Sequence, residues 1–326
     1  PEGRVTSPPR NEGRHEGRSE RVGMRDVVVV GSINVDVSLR AERLPLAGET
    51  VHGDALVVGP GGKGLNQAIA AARLGGRVHL VGCAGTDRLA SVALDALRDA
   101  QVDDTYVREL TDATTGTALI IVSSTSGENQ IAIAAGANAR VDATAVRDAI
   151  SAFRASSVLL TQLEIPLDAV SAALEQAKTE HLTTVLDPAP APQDLDDALL
   201  RRVDVLTPNE TEAEALSGVC VRDVESAARA GSVLRGRTQG DVVVTLGAEG
   251  CVWSSSTGFE HIPAPRVDPV DTTGAGDAFN GGLAVALARG EPLARALHHA
   301  VLAGTAATTR RGAADAMPRQ ADLHAL

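Results

Sequence analysis

The chain reads as an α/β protein built on a mostly parallel sheet with helices on both faces. Short, wholly apolar runs recur along it, segments of helical period separate most of them, and glycine-rich or polar turns follow the runs. Ligands of such sheets gather at the carboxyl ends of the strands, which are the places where those turns fall. The 326 residues suffice for one large domain, and neither an internal repeat nor a second boundary interrupts the pattern.

Taken in order, residues 1–23 mix Arg, Glu, Gly, Ser and Pro, with Val5 and Val22 as their aliphatic residues. Such a segment buries too little to order itself and is expected as a disordered extension, with Met24 an alternative start and residues 24–326 the folded domain. It has neither the apolar stretch of a signal peptide nor the acid-poor composition of a transit sequence. Val27 to Val30, closed by Gly31, has the pattern of a strand buried on both faces. Similar runs stand at 78–81, 157–160, 183–186, 203–206 and 242–245. Helical patterns cover Asn66–Leu74, Leu89–Asp99, Ala143–Ala152, Leu167–Lys178, Glu210–Leu216 and Asp223–Arg235. Residues 37–59 and about 107–135 break the alternation, being strand-like without a long helix. In the second, 117–122 and 130–134 flank a turn at 124–129 and predict a hairpin. Together these segments predict a small projecting sheet, either a flap over a substrate or an edge that pairs with another copy.

The chain is 44% hydrophobic but only 2% aromatic, so Ala, Val and Leu must fill the core. A net charge of -12 argues against nucleic acid or an anionic membrane as partner. No apolar run reaches the roughly 18 residues of a membrane span. Cys83, Cys220 and Cys251 are widely spaced and read as buried thiols of a cytoplasmic protein, with neither zinc nor disulfide spacing. The adjacent His298 and His299 point different ways on a helix and suggest no metal site.

The most informative stretch is Asp271-Thr272-Thr273-Gly274-Ala275-Gly276-Asp277, which leads into an apolar helical run. Small residues at a helix start leave room for a ligand against unpaired N–H groups, which hold an anion. Asp277 would face that anion, an arrangement suited to phosphoryl transfer: amides stabilise the moving phosphoryl charge while the carboxylate takes a proton from an attacking hydroxyl. An acid favoured by the helix dipole is the plainer alternative. Gly61-Gly62-Lys63-Gly64-Leu65-Asn66 precedes another helix. With Gly59 the string fits GxGxxG, but the first strand lies elsewhere and no acid follows the next strand. As a Walker loop it fails, because Gly64 follows Lys63 and Val57 replaces the first glycine. It is better read as close-approach backbone carrying the polar tips Lys63 and Asn66. After the first strand, Asn34 and Asp36 alternate with Ile33 and Val35 and so point the same way, an amide and a carboxylate suited to vicinal sugar hydroxyls. Glu164 follows another strand and suits a hydroxyl or Mg²⁺, or the start of the next helix. Asn209 and Glu212 have capping-box spacing and are also candidates for an outer shell around Mg²⁺. The turn Thr245 to Gly250 would admit a nucleotide at Gly247 and Gly250, although hairpins use the same residues.

These motifs, in this order from Val27 to Pro318, resemble the PfkB-type carbohydrate kinase family. Also carrying the likeness are Gly127-Glu128-Asn129, Gly136-Ala137-Asn138, Gln162-Leu163-Glu164 and Asp187-Pro188-Ala189-Pro190. Asn34, Asp36, Lys63, Asn66 and Gln162 to Glu164 point to its ribokinase branch. The resemblance implies a three-layer α/β/α sandwich with a β-sheet lid that also forms a homodimer. It implies ATP-dependent phosphorylation of D-ribose at the 5-hydroxyl, with deoxyribose, fructose or a nucleoside as alternative acceptors. Asp277 would be the base and the 274–277 amides the anion hole. Asn34, Asp36, Gly62, Lys63, Asn66 and Glu164 would bind the sugar. Asn209, Thr245, Gly247, Gly250 and Gly276 would bind ATP, with Glu212 near Mg²⁺. An activating K⁺ would lie against Asp271 and main-chain oxygens near Thr273, Ala307, Arg310 and Gly312. Here the chain departs from the family's pattern: Ala316 stands where a serine-type ligand is usual and Ala314 replaces a polar residue.

Overall fold

In β1 (Asp26–Val30) the four valines are fully buried. Val27 and Val29 pack into one layer and Val28 and Val30 into the other, as a strand covered on both faces requires. The computed structural model describes residues 25–153, 157–191 and 194–326; the expected extension at 1–23 and Met24 lie outside them.

The chain continues through β2 (Asn34–Ala41), β3 (Gly53–Gly61), α1 (Lys63–Arg73), β4 (Arg77–Gly85), α2 (Ala90–Asp99), β5 (Asp103–Leu110), β6 (Gly116–Ser123), β7 (Asn129–Ala134) and α3 (Ala143–Ile150). Then come β8 (Val158–Thr161), α4 (Leu167–Thr179), β9 (Thr183–Leu186), α5 (Asp197–Leu200), β10 (Val205–Leu206), α6 (Glu210–Ser217), α7 (Val224–Thr238) and β11 (Asp241–Thr245). The last elements are β12 (Cys251–Ser255), β13 (Gly258–Ile262), α8 (Ala275–Ala288), α9 (Leu293–Thr308) and α10 (Gln320–Leu323).

The large sheet has nine strands in the order β13-β12-β11-β10-β9-β8-β1-β4-β5, all running one way except β12, which pairs antiparallel with both neighbours. Helices α1, α2, α8 and α9 cover one face, and α3, α4, α6 and α7 the other. Between β1 and β8 the strand order reverses, so a crevice opens at their carboxyl ends. The three-layer sandwich is therefore as expected.

The second sheet has four strands in the order β3-β2-β6-β7. Its base pair, Asn34 with Gly61, adjoins the end of β1 and the start of α1, so the small sheet springs from the crevice itself. The expected segment 107–135 contributes less to it than its length suggests, because residues 107–110 belong to β5 and pair with β4 in the large sheet. The Gly247–Gly250 turn is a hairpin connection, and the antiparallel edge strands β12 and β13 that follow it were not legible in the sequence. Cys83 and Cys251 are buried as expected, whereas Cys220 is exposed on the connection from α6 to α7.

Candidate active site

Two helices meet unusually closely at the crevice. A side chain at Gly281 of α8 would stand 2.7 Å from the Ala70 methyl and 2.9 Å from the Ala71 nitrogen of α1, closer than any alanine allows. One turn earlier on each helix, the same approach brings Asp277 onto Asn66 and Gln67. Asn66 Nδ2 donates to Asp277 Oδ2 at 2.9 Å, and Gln67 Nε2 to Asp277 Oδ1 at 3.1 Å. Asp277 is buried, and it lies three residues beyond the cap residue Gly274 of α8.

At that helix start Ala275 N–H reaches the Thr272 carbonyl, while the N–H groups of Gly274, Gly276 and Asp277 meet no acceptor among the described residues. The open amides are thus three, not the whole 274–277 run. A side chain at Gly276 would meet nothing within 4 Å, so this backbone borders open space. Asn280, one turn on, donates to the Gly276 carbonyl and accepts from Thr207, which anchors the helix start to the end of β10.

The loop before α1 is built differently. Gly62 caps the helix with φ 89°, but Lys63 N–H donates to Glu164 Oε2 at 3.0 Å and Gly64 N–H to Ser32 Oγ at 3.2 Å. Ser32 Oγ in turn donates to the same Glu164 oxygen at 2.5 Å. Leu65 N–H goes to the Ser32 carbonyl. The first amides of α1 are consumed in tying β1, β8 and α1 together, and the second Glu164 oxygen remains.

Asn34 and Asp36 lie on β2 at the mouth of the crevice. Asn138 grips the backbone of Ile33 through both ends of its amide and donates to Asn34 Oδ1 at 2.6 Å, which leaves the Asn34 NH₂ as the free donor. Asp36 fills the space that a side chain at Gly61 would take. An amide donor and a carboxylate acceptor thus stand side by side, as the sequence predicts.

Charge in the crevice is lopsided. Lys63 loses by burial, yet Asp187, Asp277, Glu164 and Glu212 together push its pKa up, so it stays charged. Burial pushes Asp277 up against the pull of Lys63 and of its two amide donors. Asp187 is pushed up to about 7 by burial, Lys63 opposing, with Glu212 and Asp277 adding to the rise. Asp36 is pushed up to about 6 by burial and by the nearby Glu164 and Asp277. Burial is the first cause for the acids, whereas the lysine is raised by the carboxylates that surround it.

On the far side, Asn209 and Glu212 form the capping box that their spacing suggests. Glu212 N–H donates to Asn209 Oδ1 and Asn209 N–H to Glu212 Oε2, both at 2.9 Å. Glu212 is buried, which raises its pKa against the pull of its hydrogen bonds with Asn209 and of Lys63. Asn209 pairs with Thr245 across the ends of β10 and β11, and Gly247 beyond them is open on its Cα side. Gly250 stands at the close of that turn. A side chain there would strike the Ile262 carbonyl, and its N–H and carbonyl both close the turn, so it shapes the hairpin that presents Gly247.

Asp271 is held below the usual carboxylate range despite burial. Its Oδ2 accepts Gly312 N–H, and its Oδ1 accepts the N–H and hydroxyl of Thr273. The two loops are strapped together there. Ala307 ends the same region on α9, and its carbonyl accepts Arg310 N–H, while the Arg310 side chain turns away to Asp322. Ala314 and Ala316 are buried methyls and offer no side-chain oxygen.

Sequence reasoning gave Gln67 no role and named Gln162 and Asp187 as motif residues without placing them in this network; Gln67 and Asp187 both stood out locally. Gln67 sits on the buried side of an alanine-rich helix, and Asp187 is an acid directly after a buried strand.

The chain matches the model of the pfkB family carbohydrate kinases over residues 24–320. It is 39% identical over 303 residues to the ribokinase of Haemophilus influenzae, covering 93% of this chain and 98% of that protein. To the ribokinase of Mus musculus it is 41% identical over 264 residues, covering 80% of this chain and 81% of the other. A solved structure of Arabidopsis thaliana ribokinase complexed with ribose and ATP superposes with a TM-score of 0.82 at 30% identity, covering 93% of this chain and 98% of that one. The chain belongs to the pfkB family of carbohydrate kinases.

Proposed function

We propose that this pfkB-family enzyme is an ATP-dependent ribose kinase that phosphorylates the 5-hydroxyl. The observation that carries the reading is a buried carboxylate, Asp277, held by two amide donors beside three peptide N–H groups without acceptors. Ribose would lie between the small sheet and α1. The Asn34 NH₂, the Asp36 carboxylate, the open edge of Gly62, the Lys63 ammonium, Asn66 and the second Glu164 oxygen would meet its hydroxyls. Such a mixed set fits a compact polyol, whose hydroxyls both donate and accept.

In the transfer step the sugar O–H gives its proton to Asp277 as its oxygen bonds to the γ-phosphorus. The bond from that phosphorus to the β-phosphate oxygen breaks, and ADP leaves. The N–H groups of Gly274, Gly276 and Asp277 would hold the phosphoryl oxygens, at the positive end of α8. Asn209, Thr245 and Gly247 would border the nucleotide. Mg²⁺ would sit on the far side, with the buried Glu212 carboxylate in its outer shell, because a cation with mostly water and phosphate ligands needs few protein donors. When bound it neutralises charge on the phosphates. K⁺ would sit against the strapped loops at Asp271, Thr273, Ala307, Arg310 and Gly312 through main-chain oxygens, with Ala316 contributing none.

Register puts Asp36 on one face of the small sheet with Val57, Ile131 and Ile133, while Leu56, Val58 and Leu119 are on the other, and these six apolar residues are exposed. One face would close over the sugar and exclude water. The other supports a homodimer through the lid. No helix among the described residues is long and apolar enough to cross a membrane, and we place the enzyme in the cytoplasm.

The test is an ADP-release assay with purified enzyme over ribose, deoxyribose, fructose and nucleosides, with and without K⁺. Ribose 5-phosphate is the expected product. Transfer to another acceptor in preference to ribose would overturn the reading.

A further inference from the structure

We infer that Gln67 is a positioning residue for the transfer step: its side-chain amide aims the Asp277 carboxylate and ties it to Asp187. This rests on the proposed role of Asp277 as base.

Gln67 is fully buried, and its NH₂ spends both hydrogens on carboxylates, with Asp187 Oδ2 at 2.8 Å and Asp277 Oδ1 at 3.1 Å. Its carbonyl accepts from the Nε2 of Gln162, which is also fully buried. Gln162 fits against β1 because residue 31 is glycine; a side chain there would overlap its amide oxygen. The direction of the Gln67 amide is therefore determined twice. Reversed, its carbonyl would face two carboxylates and its NH₂ would face the NH₂ of Gln162.

This arrangement has a chemical consequence. Asn66 on one oxygen of Asp277 and Gln67 on the other fix the carboxylate plane and leave one lone pair on each oxygen. Neither amide can take or yield a proton, so the base exchanges its proton with the acceptor hydroxyl. As Asp277 becomes neutral its bond from Gln67 weakens, while the bond to Asp187 holds the amide in place. The charged groups facing Asp277 are Lys63 from α1, Glu164 after β8, Asp187 after β9 and Asp36 from β2. Lys63 is the cation among them, so a neutral donor shared by two acids lowers their repulsion without adding charge.

The experiment uses the full chain with ATP and D-ribose and compares Gln67→Met with Asp277→Asn. Gln67→Met should lower kcat by roughly 10–10²-fold, the scale of small misplacement of a reacting group. Dissociation constants for ribose and ATP by calorimetry should stay within about threefold of the parent, because the residue aims the base and does not touch either substrate. The acid limb of the kcat–pH profile should move to higher pH, since a donor to the carboxylate is lost. Should Gln67→Met fail to fold, Gln162→Met decides. It frees the Gln67 carbonyl without touching Asp277, and the same fall in kcat at constant substrate binding is expected, smaller in size. A folded variant of either kind with parental kcat and acid limb, next to an inactive Asp277→Asn, overturns the role of Gln67 and leaves the base intact. An active Asp277→Asn overturns the base beneath it.

Discussion

Helices α1 and α8 begin alike. Each has a cap glycine with left-handed φ, Gly62 at 89° and Gly274 at 76°, and each has a second glycine two residues on, Gly64 and Gly276. Their peptide N–H groups meet different fates. At α1 they are occupied by Glu164 and by the hydroxyl and carbonyl of Ser32, and at α8 those of Gly274, Gly276 and Asp277 stay open. A glycine run is thus no anion site by itself. At α1 glycine lets two strands and a helix touch, and at α8 it lets a ligand approach. The acids differ in the same way: Glu164 binds the backbone of α1, whereas Asp277 is bound by side chains and faces the crevice.

The contrast breaks first at Asp277. Asp277→Asn keeps the size but removes the base and sets an NH₂ against one of the two amide donors, and kcat should fall roughly 10²–10⁴-fold in an ADP-release assay. Turnover near the parental value would make α8 as structural as α1.

The two glycine runs should next respond in opposite ways. Gly64→Ala would place a methyl 2.5 Å from Ser32 N and 2.6 Å from the Gly31 carbonyl carbon, where backbone cannot yield. A cost of about 1–3 kcal/mol is expected, seen as a lower Tm. Gly276→Ala meets nothing in the protein and favours helix, so Tm should hold or rise while kcat/KM for ATP drops roughly tenfold. Equal stability losses in the two variants would erase the distinction.

A smaller effect tests the crowded acids between the helices. Asp187 at about 7 and Asp36 at about 6 bind a proton more tightly folded than unfolded. Their stabilising contribution is full below an ordinary carboxylate pKa of about 4 and is lost as pH rises through 6 and 7. Thermal scans of the enzyme without substrates should therefore show Tm falling from pH 5 to pH 8, with a flatter slope in Asp187→Asn. If both proteins show the same slope, Asp187 is not the group responsible.

The smallest change is expected at Glu212→Gln. An amide oxygen can still accept Asn209 N–H, so the capping box survives and Tm should be unchanged, while the Mg²⁺ concentration for half-maximal rate increases. A Mg²⁺ titration that superimposes on the parent's would leave Glu212 as a cap alone.

Local pattern was enough to establish the layered sheet, because runs such as Val27 to Val30 have one physical use, burial on both faces. Local chemistry also marked Asp277, since an acid where an anion should bind is costly unless it acts. Identical short-range features conceal different long-range partners, and there tertiary structure alone decided. Which glycine run keeps its amides depended on Ser32 and Glu164 arriving from distant strands. Gln67 became a link between two acids only when α8 closed on α1 at Gly281 and Gln162 met it from β8. Hydrogen-bond satisfaction in a buried site belongs to the assembled fold, because donor and acceptor are brought together from segments that no local window contains.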